Sequence, residues 1–213
     1  MRTLFTGIAP DNIEGLRVRY GGDIVVTPLI DIVPVEDDGP LRRAMASLAA
    51  CDYLLFTSRH AVRPSIDRAN FPNPRPRIVA IGATTAAALR QAGITDTERP
   101  EADNSYGVVT WFARQKGRGR VLIPRSNLAL DIIPNGLRGL GYVVDTVTAY
   151  VNRMPANPQL ADLDAIDRIV FTSPSTIDHF IRLYGALPKG KSFVARGPVT
   201  EQYLRNKIKQ QSL

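Results

Sequence analysis

The chain has 213 residues, of which 44% are hydrophobic and 22% are charged, a composition typical of an ordinary globular protein. Its first residues contain no apolar secretory signal, and no stretch approaches the roughly eighteen continuous apolar residues of a membrane span. The single cysteine, Cys51, excludes an intrachain disulfide and is expected to be a small buried residue in a reducing compartment. We therefore expect a cytoplasmic protein without a membrane partner.

The formal net charge of +7 predicts a surface that attracts anions, such as nucleic acid or a ligand with several acidic groups. The basic residues cluster at 114–120 and 205–210. Neither cluster interleaves aromatic with basic side chains, as a groove for single-stranded nucleic acid does. Solvated surface charge is the simpler interpretation, so we expect no nucleic-acid partner.

In chain order, short apolar runs alternate with helical patterns, which is typical of βαβ units and a doubly wound parallel sheet. The run at 53–57 is continuously apolar, as in a strand buried on both faces. Thr84 is a candidate cap for the helix that follows the strand at 77–81, and Asn104 or Ser105 for the next helix. Strands are predicted over 3–7, 23–34, 53–57, 77–81, 120–124, 168–172 and 192–196, and helices over 10–21, 41–50, 84–93, 104–115 and 127–141.

The chain contains an internal duplication. "FTS" follows an apolar run at residue 56 and again at residue 171, 115 positions later. The same offset carries "VAIGATTAAAL", at 79–89, onto "VARGPVTEQYL", at 194–204. One offset for two separate phrases predicts two similar domains.

Two segments rich in Pro, Asp and Asn, at 33–40 and 151–159, interrupt the alternation and are expected to be linkers. Two linkers in a chain of two domains imply that one domain is discontinuous. We therefore predict one domain formed by 1–34 plus 152–213 and another formed by 35–151.

Every repeated polar phrase follows a strand and precedes a helix, at the carboxyl end of a sheet where ligands of such folds bind. Thr57-Ser58 and Thr172-Ser173 end two strands, and "GATT" and "GPVT" begin at residues 82 and 197. Hydroxyls and free N–H groups there suit a carboxylate or phosphate. Ser and Thr also cap helices of every kind, and from the residues alone the two interpretations are about equally favoured.

Other chemistry is sparse. No glycine-rich nucleotide motif follows a strand, and His60 and His179 are too isolated to form a metal site, so we expect both to be surface or cap residues. Tyr150 ends an extended run just before the second linker. It is either a proton donor facing a ligand or a packing residue of the hinge.

Five phrases in this order resemble those of the uroporphyrinogen-III synthase family: "LLFTSRHAV", "VAIGATTAAALRQAG", "VLIPRSNLALDIIPNGLRGLGYVVDTVTAYV", "IVFTSPSTIDHF" and "FVARGPVTEQYL". The resemblance implies two similar α/β domains with parallel sheets, one discontinuous, joined by a two-stranded β linker with the ligand cleft between them. It also implies a cofactor-free lyase that converts hydroxymethylbilane, a linear tetrapyrrole with eight carboxylates, to uroporphyrinogen III. A two-domain protein that binds a small anion without chemistry is the alternative.

The resemblance assigns Tyr150 as the residue that assists loss of the substrate hydroxyl, and it implies no metal site. It places the substrate-binding residues at Ser58, Thr85, Asn104, Ser105, Arg125, Ser126, Ser173, Ser175 and Thr200, with Asn127 in the loop after Ser126. We expect the protein to act as a monomer. One departure is Arg196, which stands where the family has an apolar strand residue, so that either its side chain faces the ligand or the local strand is altered. The chain also ends before the second copy's counterpart of the helix at 104–115, so we expect that copy to lack its last strand and helix.

Overall fold

The computed structural model describes residues 1–10, 12–116 and 118–211. Four residues lie outside the described residues: 11, 117, 212 and 213. They belong to the predicted helix at 10–21, the first basic cluster and the end of the predicted discontinuous domain. The strands are β1 Arg2–Phe5, β2 Asp23–Val26, β3 Asp31–Val33, β4 Tyr53–Phe56, β5 Arg77–Ala80, β6 Arg120–Ser126, β7 Val143–Arg153, β8 Arg168–Phe171 and β9 Ser192–Ala195. The α-helices are α1 Glu14–Tyr20, α2 Gly39–Ala46, α3 Arg59–Ile66, α4 Gly82–Gln91, α5 Ser105–Ala113, α6 Ile132–Gly139, α7 Pro174–Tyr184 and α8 Pro198–Gln211.

The contacts divide the chain into two compact units. Unit 1 comprises Met1–Asp31 and Arg153–Leu213, and unit 2 comprises Ile32–Asn152. The chain passes between the units inside β3 and inside β7, which are neighbours in one sheet. The first crossing therefore lies in a strand and not in the irregular segment at 33–40. The predicted domain boundaries lie close to the boundaries of the two units. That these units are the domains of the protein stays a prediction.

Unit 1 contains a four-stranded sheet in the order β2–β1–β8–β9, and every pairing in it is parallel. The sheet separates two apolar clusters. Leu4, Ile169 and Phe171 face the larger cluster, which also contains Phe180, whereas Val170 faces the smaller one. Adjacent residues of β8 thus alternate between the two faces, as they do in a strand buried on both sides.

Unit 2 contains a five-stranded sheet in the order β3–β7–β6–β4–β5, in which β7, β6, β4 and β5 pair in parallel. Residues 53–56 of β4 are all buried, with Leu54 and Phe56 in one cluster and Tyr53 and Leu55 in the other. The prediction of a strand buried on both faces is confirmed. The prediction of an α/β fold with parallel sheets is confirmed in both units.

Several local predictions are wrong. Thr84 does not cap α4, because the helix begins at Gly82, whose φ of +78° lets the chain turn directly out of β5. The helix predicted over 127–141 begins only at Ile132, since an irregular turn follows β6. Cys51 is partly exposed and not fully buried as predicted. Its partial burial still raises the pKa of the thiol.

Among the described residues, no helix has the length and apolar character needed to cross a bilayer.

Replacing Phe180 with alanine should lower the free energy of unfolding by about 3–5 kcal/mol, the cost of a large cavity in a packed core. The Phe180 side chain is fully buried, and its ring lies 5.4 Å from that of Phe171 and 4.5 Å from that of Tyr184, measured between centroids. Leu160→Ala, at a residue of unit 1 that is 62% exposed, is the control and should cost less than about 0.5 kcal/mol. Guanidinium unfolding measures both, and equal losses would contradict the role given to this cluster.

Candidate functional site

An irregularity between β6 and β7 determines where Tyr150 points. Arg125 lies opposite Thr148, but the next residue, Ser126, lies opposite Tyr150, so that Ala149 is an extra residue in β7. In a regular strand Ala149 and Tyr150 would face opposite sides of the sheet. Here both pack in the same apolar cluster, because the bulge turns Tyr150 to that side.

The Tyr150 phenol lies between two hydroxyls at the carboxyl end of the sheet. Its side chain is 8% exposed and lies beside the hydroxyls of Ser58, which follows β4, and Ser126, the last residue of β6. Burial raises the pKa of the phenol, and the two neighbouring hydroxyls act in the opposite direction. The phenol therefore carries its proton at neutral pH. The hydroxyls of Ser58 and Ser126 lie where they could stabilise a phenolate.

The other hydrogen bonds of these hydroxyls set the direction of the network. Ser126 Oγ donates to Asn127 Oδ1 over 3.1 Å and accepts the N–H of Leu128 over 3.1 Å. Because a serine hydroxyl has a single proton, Ser126 must turn that proton from Asn127 to the phenol oxygen before it can stabilise a phenolate. Ser58 Oγ accepts the N–H of His60 over 3.2 Å as the cap of α3, so its own proton is free for the phenol oxygen.

His60 is the functional candidate that the sequence did not single out. Its ring centroid lies 5.8 Å from that of Tyr150, and Arg59 Nε donates to His60 Nε2 over 3.5 Å. Burial, and then the charge of Arg59, lower the pKa of the imidazole, which favours the neutral form. His60 lies in the capped first turn of α3 and is partly buried. The residue also belongs to a groove of about 340 Å³ between α3 and α4, lined by Arg59, His60, Val62, Arg63, Ala88, Gln91 and Ala92.

The remaining sequence-predicted residues of unit 2 lie apart from the Tyr150 network. Asn104 is confirmed as the cap of α5, since its Oδ1 accepts the N–H groups of Tyr106 and Gly107 over 3.0 Å each. Ser105 is the first residue of that helix. Arg125 donates to Asp131 over 2.7 Å. Thr85 lies on α4 and is only 2% exposed.

In unit 1 the sequence-predicted residues lie at the carboxyl ends of β8 and β9. Ser173 caps α7, with its Oγ 2.9 Å from Ser175 Oγ and its N–H donated to Thr176 Oγ1 over 3.3 Å. Thr200 lies in the first turn of α8 and is 3% exposed. His179, expected at the surface or in a cap, is partly buried, and its Nδ1 lies 2.6 Å from the carbonyl oxygen of Leu29.

The structure thus brings together Ser58, Ser126 and Tyr150 in unit 2, and Ser173 with Ser175 in unit 1. It does not tie Asn104, Arg125 or Thr85 to the Tyr150 network by any hydrogen bond between described residues. No group of three or more His, Cys, Asp or Glu side chains that could hold a metal ion occurs within residues 1–10, 12–116 and 118–211. The arrangement at Tyr150 can deliver a proton and stabilise the resulting anion.

Replacing Ser126 with alanine should raise the pKa of the Tyr150 phenol further, because the lost hydroxyl stabilises the phenolate. An NMR titration of tyrosine ring carbons measures this, with Tyr150→Phe used to assign the signal. Ser47→Ala is the control, since the exposed Ser47 hydroxyl donates only to the carbonyl of Ala44 in a separate turn. A lowered pKa in the Ser126 variant would show that the hydroxyl does not stabilise the anion.

Comparisons with known proteins found relatives of this chain. Residues 11–211 match the family described as "Uroporphyrinogen-III synthase HemD". A uroporphyrinogen-III synthase of Synechococcus elongatus is 28% identical over 203 residues, which cover 84% of this chain and 75% of that protein. A porphyrin biosynthesis protein HemD of Ruminiclostridium josui is 27% identical over 188 residues; the match covers 83% of this chain but only 37% of the relative's length.

Solved structures share the fold. A mutant uroporphyrinogen III synthase of Thermus thermophilus superposes with a TM-score of 0.68 at 20% identity, covering 97% of this chain and 88% of that one. The corresponding enzyme of Helicobacter pylori gives a TM-score of 0.56 at 16% identity, with 100% and 90% covered. At these identities the structural matches establish the fold, and the match over residues 11–211 establishes the family. The chain belongs to the uroporphyrinogen-III synthase family.

Proposed function

We propose that this protein is a uroporphyrinogen-III synthase, which closes hydroxymethylbilane to uroporphyrinogen III with loss of water and inversion of the last pyrrole ring. The observation that supports it most directly, beside the family, is the Tyr150 phenol. It is protonated and largely buried, and the hydroxyls of Ser58 and Ser126 lie beside it at the carboxyl end of a parallel sheet. A proton donor in this position suits a reaction that begins with loss of a hydroxyl group.

In the proposed reaction the phenol donates its proton to the terminal hydroxyl of the bilane. The carbon–oxygen bond then breaks as the electron pair of the pyrrole nitrogen moves toward the carbon, and water leaves. Ring closure, with inversion of the last pyrrole through a spiro intermediate, releases a proton from a pyrrole carbon. That proton returns to the phenolate, so that atoms and charges balance without an oxidant or reductant.

The two serine hydroxyls would act at the first of these steps. Hydrogen bonds that strengthen as charge develops lower the barrier more than bonds made equally well to the ground state. Ser58 is fixed by the N–H of His60 and can donate its proton to the phenolate, whereas Ser126, fixed by the N–H of Leu128, must first turn its proton from Asn127. Both hydroxyls oppose the larger effect of burial on the pKa of the phenol.

We further propose that the carboxylates of the substrate are held by the residues that the sequence predicts. The net charge of +7 and the hydroxyls at the strand ends support this. Thr85 and Thr200 are almost covered, so a ligand reaches them only if neighbouring residues move, and Arg125 must exchange its bond with Asp131. The proposed ligands are Ser58, Thr85, Asn104, Ser105, Arg125, Ser126, Ser173, Ser175 and Thr200.

As the working form we propose a cytoplasmic monomer with domains formed by 1–34 plus 152–213 and by 35–151, with neither a nucleic-acid nor a membrane partner. The division of contacts into Met1–Asp31 with Arg153–Leu213, and Ile32–Asn152, supports these domains. The formal charge fits a ligand with several carboxylates as well as it fits a nucleic acid.

With freshly made hydroxymethylbilane, the protein should form the type III isomer without added metal or nucleotide. Spontaneous closure of the bilane gives the type I isomer, so the isomer ratio reports on the enzyme. Chromatography of the oxidised products resolves the two isomers. A product mixture equal to that of the protein-free control would contradict the proposal, and binding without a change in isomer ratio would favour a two-domain protein that only binds anions.

Tyr150→Phe should lower turnover by about a hundredfold, the range of general-acid assistance, with little change in product affinity, because the ring remains and only the proton donor is lost. Tyr142→Phe is the matched control. Tyr142 is 4% exposed in the same unit, and its hydroxyl donates to the carbonyl of Phe112 over 3.0 Å.

The Tyr142 control should turn over normally and lose about 1 kcal/mol of stability, the net value of one hydrogen bond. Single-turnover rates and melting curves separate the two effects. Near-normal turnover of Tyr150→Phe would make Tyr150 a packing residue of the strand.

A further inference from the structure

The groove between α3 and α4 in unit 2 can be compared with the same place in unit 1, because the chain is duplicated. The N–H of Ile81 donates to the carbonyl of Phe56 over 2.9 Å. That of Arg196, 115 residues later, donates to the carbonyl of Phe171 over 2.8 Å, so the alternative that Arg196 marks an altered strand is wrong. The helices that follow these strands are α3 and α4 in unit 2, and α7 and α8 in unit 1.

In unit 1 the space between the two helices is occupied by side chains that contact one another. The Tyr203 hydroxyl of α8 donates to Asp178 Oδ2 of α7 over 2.7 Å, and Lys207 Nζ lies 2.9 Å from Asp178 Oδ1. Lys207 Nζ also lies 5.2 Å from the centre of the Tyr203 ring. An aromatic ring, a carboxylate and an ammonium group therefore complete the contact between α7 and α8.

In unit 2 the corresponding positions leave the space open. Counted back by 115 residues, Tyr203 and Lys207 become small residues and Asp178 becomes a basic one: Ala88, Ala92 and Arg63. The groove of about 340 Å³ lies between the helices at these residues. Its floor is apolar, since Val62 is buried and both alanines pack against the same apolar cluster. Side chains fill this place in unit 1, whereas unit 2 keeps a groove.

The rim of the groove carries N–H donors. Arg59 Nε donates to His60 Nε2, and no carboxylate among the described residues pairs with this guanidinium. Arg63 uses only Nε in its exposed ion pair with Asp67, so both of its Nη groups lack a partner within the described ranges. The same holds for the side-chain amide of Gln91. No acidic residue of the described chain lines the groove, which therefore suits an anion.

The two guanidinium groups are spaced for a ligand with two carboxylates. Arg59 and Arg63 are four residues apart on α3, so they share one face of the helix, with Cβ atoms about 5–6 Å apart. Each guanidinium can bind a carboxylate through two parallel hydrogen bonds. Hydroxymethylbilane carries its eight carboxylates on four pyrrole rings, two on neighbouring carbons of each ring. A volume of about 340 Å³ is small for a ligand pocket and suits one such ring over an apolar floor.

We propose that the groove between α3 and α4 binds one pyrrole ring of the substrate, with its two carboxylate arms on Arg59 and Arg63. The proposal rests on the proposed function, which supplies a ligand of this chemistry. His60 lines the groove, and its ring lies 5.8 Å from that of Tyr150. A ring held in the groove is therefore one side chain away from the proposed proton donor, and the groove selects for rings with two acidic arms.

Porphobilinogen, a single pyrrole with one acetate and one propionate arm, is the probe, because it cannot itself be closed to a macrocycle. The chain has two histidines, His60 in the groove and His179 in unit 1, so their imidazole C–H signals report on two separate places in an NMR titration. At constant pH the His60 signals should shift to saturation while the His179 signals stay in place. A His60→Gln variant assigns the signals.

Three variants test which features of the groove bind the ring. Arg59→Gln and Arg63→Gln should each raise the Kd of porphobilinogen about tenfold, the effect of losing one charge-assisted contact. Ala88→Tyr carries the residue of unit 1, fills the groove without changing the charge and should weaken binding by at least about tenfold. Arg90→Gln is the control, since Arg90 is exposed on α4 outside the groove lining, and Kd should change less than about twofold.

Turnover gives a second readout. Both arginine variants should raise the KM for hydroxymethylbilane about tenfold with kcat within about twofold, because an arm bound equally in the ground and transition states contributes to binding only. Arg90→Gln should leave both constants nearly unchanged. A normal KM in variants that no longer bind porphobilinogen would overturn the groove as a site for the substrate.

The outcomes separate this proposal from the proposed function. Formation of the type III isomer without a saturable shift of the His60 signals overturns the pyrrole site and leaves the proposed function intact. Shifts of both histidines, or an equal effect of Arg90→Gln, show long-range charge only and also overturn the site, as does unchanged binding by a folded Ala88→Tyr variant.

Melting temperatures show which variants fold, and if Ala88→Tyr does not, the two arginine variants and their control decide. If the unmodified protein forms no type III isomer, the proposed function fails. Porphobilinogen binding that is lost in the arginine variants and kept by Arg90→Gln then still supports a site for a pyrrole with two acidic arms.

Discussion

Burial of β4 and β8 on both faces is the constraint on which the rest of the structure depends. Each strand lies inside its sheet, with side chains alternating into apolar clusters above and below. A strand in this position cannot carry polar side chains along its length without leaving them unpaired. Polar groups are therefore favoured where the strand ends, and in a parallel sheet the carboxyl ends of the strands lie along one edge. The hydroxyls of Ser58 and Ser173 each lie at that edge of their own sheet for this reason.

This constraint explains how much the sequence could predict. Apolar runs and the offset of the duplication are properties of composition and order, so the strands, the parallel sheets and the similarity of the two copies could all be predicted. Asn104 could be recognised as a cap because its side chain bonds to N–H groups two and three residues later. Local chemistry of this kind is visible in a single stretch of sequence.

Features that depend on distant residues could not be predicted. The bulge at Ala149 depends on the pairing of β6 with β7, and no residue type marks it. His60 contacts a ring that is ninety residues later in the chain, so its isolation in the sequence was misleading. The start of α4 at Gly82 was missed because a threonine is the commoner cap, whereas here the positive φ of the glycine makes the turn.

The polar side chains around Tyr150 also bear on where the proton of the proposed reaction comes from. Ser58 and Ser126 lie beside the phenol, and Ser126 donates to Asn127, whose side chain in turn accepts the N–H of Asn152 over 2.8 Å. Ser58, Ser126 and Asn127 are thus held by the protein's own backbone or side chains. In the proposed reaction the phenol donates a proton at the first step, and the substrate returns a proton to it at the last. The enzyme would then complete each cycle with its own internal proton, and its rate would not depend on the concentration of the surrounding buffer.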